Sequence, residues 1–323
     1  MGADFTPFGL AIGHATDADG GTGLTVVRGI DAPFRAAAAL LGRATGTREL
    51  DALDPRHIVD RVDAIVLTGG SAYGLSAAAG VMQWMEERGR GFPVSGGVVP
   101  IVPAAVIFDL APLGAFGARP SARMAYEACD RAVPTPVPEG SVGVGTGATV
   151  GKGAGVDRAM KGGLGCAVAR AGSFAVGVVA VVNAVGDVRD AAGRIIAGAR
   201  AADGGFVDVE RSIADGEVRR TRFGAPPMGN TTLAVVATNA GLDRVQLAQL
   251  ARAAGAALSR RITPVGTSFD GDVLFGVAPL EGPPAPPLQV EALAVRALEE
   301  AVERAVRLAR GRDGFPGLAD EER

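Results

Sequence analysis

The chain has almost no lysine, histidine or cysteine. Lys152 and Lys161 are its only lysines, His14 and His57 its only histidines, and Cys129 and Cys166 its only cysteines. Two cysteines make neither a disulfide framework nor a cysteine zinc site, and reduced thiols predict a cytoplasmic protein. A Ser-His-Asp triad would need one of the two histidines, and no G-x-S-x-G elbow is present. His14 ends the first predicted strand. His57 lies in "DPRHIVDRV", read as a surface helix, and both histidines are expected to be structural. His, Cys and acidic residues form no cluster at metal-ligand spacing, so neither a metal nor a cofactor is expected. Aromatic residues are scarce at 5%, the net charge is −3, and no basic patch carries interleaved aromatics. Nucleic acid is therefore not an expected partner. Long hydrophobic runs are missing too. "FAVGVVAVVNAV" (174–185) is Val-rich and short, a buried strand rather than a membrane span. The opening "MGADFTPFGLAIGHATDADGG" lacks a basic segment followed by an apolar one, so neither secretion nor membrane insertion is expected.

What abounds is small. Hydrophobic residues make up 48% of the chain, and glycine takes 48 of the 323 positions, about twice its usual share. Such a composition predicts tight turns, close backbone approaches and an Ala/Val/Gly core with closely spaced layers. Strands are expected at 8–16 and 23–29, joined by a hairpin turn, then at 63–70, 102–110, 164–170 and 173–184. Amphipathic helices are expected at 72–91, with Ser71 as a cap, and at 120–133. Residues 198–227 read as an exposed connector. A strand at 231–239, a helix at about 242–260, a strand at 272–278 and a helix at about 289–311 follow. Without a strict βαβ rhythm, this order predicts an α/β protein whose helices cover a largely antiparallel or mixed double sheet. The part beyond the connector has too few strands for a sheet of its own, so residues 1–323 are expected to share one core as a single domain.

Three stretches carry candidate chemistry. "GVGTGA" (143–148) is a loose dinucleotide fingerprint with no clear helix behind it. "GATVGKG" fails as a phosphate loop: Thr146, directly before it and five before Gly151, stands where glycine is required, and Gly153 where Ser or Thr would hold magnesium. The Gly-rich loop 143–155 still leaves open a small-molecule or nucleotide-binding protein. Lys152, flanked by glycines in a chain nearly devoid of lysine, is a functional candidate. In "PMGNTTLAVV" a strand begins directly behind Asn230, Thr231 and Thr232. A threonine at a chain N-terminus carries its own base, an amine of pKa about 7.7–8. Thr231 could create that terminus by attacking the Asn230 carbonyl, with Gly229 permitting backbone strain. A common strand starter, a plain turn and an Asn-Thr-Thr glycosylation sequon are the competing readings. In "SFDGDVLF", Asp270 and Asp272 flank Gly271 at the head of a strand, where alternation points both carboxylates to one side. There they would orient a nucleophile and its ammonium, or simply be solvated turn acids.

Taken together, "LTGGSAYGL", "AVIFDL", "GTGATVGK", "GNTT" followed by "VVATNA", and "FDGDVLF" resemble the DmpA/NylC family of self-processing N-terminal-nucleophile amidases. That family comprises L-aminopeptidase/D-esterases, β-peptidyl aminopeptidases and nylon-oligomer hydrolases. The likeness runs from about residue 8 to residue 310. It implies an α-β-β-α layered sandwich, cut between Asn230 and Thr231 into an α chain 1–230 and a β chain 231–323. It also implies homo-oligomers, tetramers of the processed pair. Thr231 would be the nucleophile, and Lys152 the nearby charge that lowers its amine pKa. Asn183, in "VVNAVG", would donate to the oxyanion, Tyr73 would line the pocket, and Asp270 and Asp272 would set orientation. Threonine as nucleophile, with Asp-Gly-Asp downstream, looks like the nylon-hydrolase branch, whereas "TGTREL" (45–50) resembles the widespread peptidase members. The expected activity is hydrolysis of small peptides or amide oligomers through an acyl-enzyme. An exo-acting aminopeptidase is the alternative within the class.

Overall fold

Side-chain alternation along the strands decides the layering in the computed structural model, which describes residues 2–217 and 229–320. Along Thr231–Thr238, Leu233, Val235 and Ala237 point into a core between two sheets, while Ala234 and Val236 point the other way, against helices. One sheet has five strands in the order Leu10–Asp17, Thr22–Gly29, Ala64–Thr68, Ala104–Val106, Thr47–Arg48. The other also has five: Gly163–Ala171, Phe174–Asn183, Thr231–Thr238, Val273–Pro279, Phe34–Leu40. Ile12, Val27, Ile65 and Leu67 of the first sheet meet Val179, Val181, Leu233 and Phe275 of the second. Helices α1 (Ala78–Glu86) and α2 (Ala122–Asp130) cover the first sheet. A short α3 (Val209–Ala214) stands apart over Ala154 and Ala199. Helices α4 (Arg244–Ala254), α5 (Ala256–Arg261) and α6 (Pro287–Arg307) cover the second sheet. The result is the α-β-β-α sandwich that the resemblance implies.

The glycine and alanine excess has a definite place in it. Helix α6 lies almost flush on the sheet, presenting Ala294, Ala297, Ala301 and Ala305. A Cβ on Gly165 would stand 2.1 Å from the Ala301 carbonyl oxygen, and one on Gly163 2.4 Å from that of Ala305. Only glycine admits a helix backbone that close.

Each sheet contains a single parallel pair, and the one in the second sheet matters most. Thr231–Thr238 runs parallel to Val273–Pro279, so the two strands start at the same edge, and an isolated bridge extends the pairing to Asn230 and Asp270. On its other side Thr231–Thr238 is antiparallel to Phe174–Asn183, which sets Asn183 opposite Thr231. Three separated stretches thus meet at one sheet end.

Several boundaries differ from the sequence expectation. The helix expected from 72 begins as a 3-10 turn, Ser71–Ala77, and Ser71 caps nothing; it sits at φ +52. The turn is tight because Gly74 folds back on the strand end, its Cβ position 1.9 Å from the Gly69 oxygen. The strand expected at 102–110 is only Ala104–Val106. Beyond it the chain turns as the Asp109 carboxylate takes the Thr22 hydroxyl at 2.6 Å and the Gly70 N–H at 2.6 Å. The helix expected at 242–260 divides at Gly255. Phe34–Leu40, "FRAAAAL", was not expected as a strand, because an alanine run shows neither β-branching nor alternation. His57 lies in a turn, not a helix. Part of the expected connector forms α3, and residues 218–227 of it lie outside the described residues. Among the described residues no helix is long and apolar enough to cross a membrane.

A methyl group at position 165 tests the close packing of α6. Gly165→Ala is expected to cost about 1–3 kcal/mol, as overpacked cores do, and to lower the urea midpoint at unchanged slope. An unshifted midpoint would mean that the helix can lift off the sheet freely.

Candidate active site

Thr231 faces the inter-sheet layer, on the same side of its strand as Leu233, and is buried. Its Oγ1 donates to the carbonyl oxygen of the preceding residue, Asn230, at 2.6 Å. The same oxygen accepts the Gly271 N–H at 2.8 Å. Gly271 must be glycine here, since a Cβ would stand 2.8 Å from the Thr231 hydroxyl and 2.6 Å from the Ala44 oxygen. The acids on either side of it are both buried. Asp272 Oδ1 accepts the Thr232 N–H at 2.6 Å, and Asp270 Oδ2 accepts the Thr267 N–H at 2.7 Å. Asp272 Oδ2 is buried without a hydrogen-bond partner among the described residues.

Lys152 closes the cluster from the far side. The glycines around it suggested a loose loop, yet only 4% of the residue is exposed. Its Nζ donates to Asn183 Oδ1 at 2.7 Å, and to the carbonyl oxygens of Asn183 at 3.1 Å, Gly229 at 3.2 Å and Thr149 at 3.3 Å. The Thr149 N–H also donates to Asn183 Oδ1, at 3.0 Å. Two donors on Oδ1 settle the orientation of the amide. Asn183 Nδ2 accordingly donates to Gly229 O at 3.0 Å and Phe108 O at 3.1 Å.

Burial dominates the electrostatics. It draws the Lys152 ammonium down to about 7, against the pull of Asp270. It pushes Asp272 up to about 7, helped by the charge of Asp270. Asp270 is itself raised by burial, with the Thr267 hydrogen bonds and Lys152 opposing. Groups that titrate near neutrality therefore grip the main chain on either side of Thr231, whose hydroxyl rests on a carbonyl. That combination suits acyl transfer.

The cavity above this cluster is about 310 Å³ and opens onto Asn230 and Thr231 between Thr45, Ser71, Phe108 and Phe269. A larger one, about 580 Å³, lies elsewhere, beside Phe8, Ile30 and Leu280, and shares no residue with the cluster. Of the sequence candidates, Thr231, Asn230, Asn183, Lys152, Asp270 and Asp272 come together here. Tyr73 does not. It is 53% exposed on the 3-10 turn, with the Arg119 guanidinium 3.5 Å over its ring, and it is not among the cavity-lining residues. His14 is half-buried, its Nδ1 2.9 Å from Thr25 Oγ1, and desolvation of the ring holds the imidazole down to about 4.

Sequence reasoning missed the backbone partners: the Gly271 and Thr149 N–H groups and the Phe108 and Gly229 carbonyls. Main-chain groups leave no signature in residue type. It also missed Lys161, whose buried ammonium donates to the carbonyl oxygens of Gly145, Thr146 and Ala148 at 3.2, 2.9 and 2.7 Å. Three carbonyls of the Gly-rich loop thus face a cation, the reverse of a phosphate cradle, which turns N–H groups inward.

Comparison with known proteins places these features. The family described as Peptidase family S58 matches residues 8–318. An uncharacterized aminopeptidase of Mycobacterium tuberculosis is 44% identical over 243 residues, covering 73% of this chain and 67% of that protein. The 6-aminohexanoate-oligomer endohydrolase of Paenarthrobacter ureafaciens is 34% identical over 285 residues, covering 83% and 72%. Among solved structures, a Burkholderia sp. beta-aminopeptidase superposes with a TM-score of 0.70 at 20% identity, covering 97% of this chain and 89% of that one. The L-aminopeptidase D-Ala-esterase/amidase of Ochrobactrum anthropi, described as a variant of the Ntn hydrolase fold, gives 0.67 at 20% identity, covering 98% and 90%.

The buried acid sets a stability trend with a definite sign. The Asp272 pKa rises from 3.8 to about 7, so the folded state holds a proton that the unfolded state releases. Its contribution is complete below about pH 4 and is lost as pH rises through about 7. In a Thr231→Ala background, Asp272→Asn is expected to flatten the fall of urea-unfolding free energy between those limits. An unchanged slope would assign the trend to other groups.

Proposed function

The chain belongs to peptidase family S58 and hydrolyses amide bonds; from that premise we propose that it makes its own nucleophile by cutting itself between Asn230 and Thr231. The observation that carries this reading is the Thr231 hydroxyl at 2.6 Å from the Asn230 carbonyl oxygen. Attack by Oγ on the Asn230 carbonyl carbon forms a C–O bond and breaks the C–N bond, and the hydroxyl proton ends on the departing Thr231 nitrogen. Water then hydrolyses the ester. This leaves the Asn230 carboxylate and a free Thr231 with both hydroxyl and amine. In turnover the amine takes the hydroxyl proton as Oγ attacks a substrate amide, returns it to the leaving amine, and water releases the acyl group. Asp270 and Asp272 orient the ammonium, Lys152 lowers the amine pKa by like charge, and an N–H of Asn183 meets the oxyanion.

The 1–230 and 231–323 fragments would stay together as one domain. Strand Thr231–Thr238 lies between Phe174–Asn183 and Val273–Pro279, so the two fragments share a sheet. For the substrate, we favour internal amide bonds of peptide or polyamide oligomers, as in the name of the Paenarthrobacter relative. The described cavity walls are neutral, with Thr45, Ser71, Phe108 and Phe269 around the nucleophile, and a free amine next to the scissile bond would find no acid there. The exo-acting aminopeptidase is the second reading. It is favoured by the names of other relatives and by the two carboxylates beneath Thr231. Buried free cysteines fit the cytoplasm, and assembly into tetramers follows from the family resemblance alone.

On a denaturing gel the purified protein is expected to run as two fragments, the smaller beginning TTLAVV by N-terminal sequencing. Thr231→Ala is expected to stay whole and inactive; a cut, active variant would end the mechanism. An N-blocked amide oligomer is expected to be cleaved at least tenfold faster than an amino-acid p-nitroanilide. The opposite preference would favour the aminopeptidase reading.

A further inference from the structure

If the chain cuts itself, the Asn230 oxygen becomes an oxyanion, and a donor must already be aimed at it. The residue implied for oxyanion duty is not free to serve. Both N–H bonds of Asn183 Nδ2 are engaged, one by Phe108 O at 3.1 Å and one by Gly229 O at 3.0 Å. Lys152 Nζ likewise spends its donors on Thr149, Asn183 and Gly229. Both grip the carbonyl one residue before the scissile one. Gly229 presents that carbonyl at φ +106 beneath Phe108, whose ring would stand 2.4 Å from any Cβ. The Gly271 N–H donates to the Asn230 oxygen at 2.8 Å, beside the attacking hydroxyl.

We propose that the Gly271 N–H is the oxyanion donor for self-cleavage, and that Asn183 and Lys152 are positioning residues in that step. They pin Gly229 so that the Asn230 carbonyl lies between the hydroxyl and the Gly271 amide. Departure of the 229–230 end then frees one N–H of Asn183 and one contact of Lys152. The donor that serves substrate is thus masked until the chain is cut. Self-cleavage and turnover use different donors at one nucleophile. This rests on the self-cleavage reading above, and glycine at 271 leaves the room that lets its N–H and the Thr231 hydroxyl meet one carbonyl oxygen.

The test replaces one N–H by oxygen. Glycolate at position 271, introduced by cell-free translation, gives a backbone ester with no added side chain. Fragment appearance is followed in time, and amide turnover is measured per cleaved centre. Cleavage is expected to slow by about 100- to 1,000-fold, the usual loss of one oxyanion donor, with turnover per cleaved centre falling by less than cleavage does. Cleavage at the parent rate overturns the inference and leaves self-cleavage standing, as does an equal loss of both activities. A parent chain that never cuts overturns self-cleavage itself. Folding is checked by melting temperature in the Thr231→Ala background. Should the ester not fold, Gly42→Ala reaches the same segment. Its Cβ would stand 2.2 Å from Asp270 O and 2.5 Å from Asp272 N, displacing the 270–272 backbone while leaving Thr231 and Asn183 unaltered. At least tenfold slower cleavage is expected there too, and an unchanged rate overturns the inference.

Discussion

The parallel pairing of Thr231–Thr238 with Val273–Pro279 is the constraint from which the chemistry follows. Antiparallel neighbours would have put the start of one strand beside the end of the other. Parallel neighbours begin together, and the crossover through α4 and α5 is what permits it. The pairing carries Asn230-Thr231-Thr232 and Asp270-Gly271-Asp272 past one another at a single sheet edge, with the Gly271 N–H on the Asn230 oxygen and the Thr232 N–H on Asp272. The first is an ordinary backbone contact of a sheet end, and the second ties the main chain to a carboxylate. They become chemical because one of the side chains on that edge is a hydroxyl.

The second determinant is the burial of charge. An isolated ammonium or carboxylate taken from water costs several kcal/mol even after relaxation. The cluster answers that cost by leaving each group close to neutrality: Lys152 drawn down to about 7, Asp272 pushed up to about 7. Neither is a strong ion, so both can exchange protons at physiological pH. Four carbonyl-type oxygens around Lys152 Nζ hold its ammonium in place, and the one at Asn183 Oδ1 ties the lysine to that amide. Lys161 applies the same physics without the chemistry. Its ammonium is also drawn down to about 7 by burial, but it touches only loop carbonyls and no nucleophile.

Much of this was legible in the chain before any coordinates. The first hairpin, the Val-rich strand ending at Asn183 and the strand opening at Thr231 all show in alternation and turn residues. The quoted motifs named all of the candidate cluster's side chains through a family likeness. What stayed hidden was hidden for physical reasons. The edge strand Phe34–Leu40 is an alanine run whose conformation comes from its partner Val273–Pro279, not from propensity. Tyr73 sits in the right motif, yet the 3-10 turn swings it outward to Arg119. The role of Gly271 is a main-chain N–H, which every residue but proline owns.

The glycines join the two scales of the structure. At Gly163 and Gly165 the missing Cβ lets a helix settle onto a sheet; at Gly229 it makes room for the Phe108 ring, and at Gly271 for the Thr231 hydroxyl. In both places the distances are shorter than any side chain would tolerate, so the composition that closes the layers also closes the reacting atoms. On the self-cleavage proposed above, the bond before Thr231 is held by the same pairing that holds the core, since an isolated bridge joins Asn230 to Asp270. Thr231 already stands opposite Asn183 in the finished sheet, so a nucleophile made there would be in register before its amine exists.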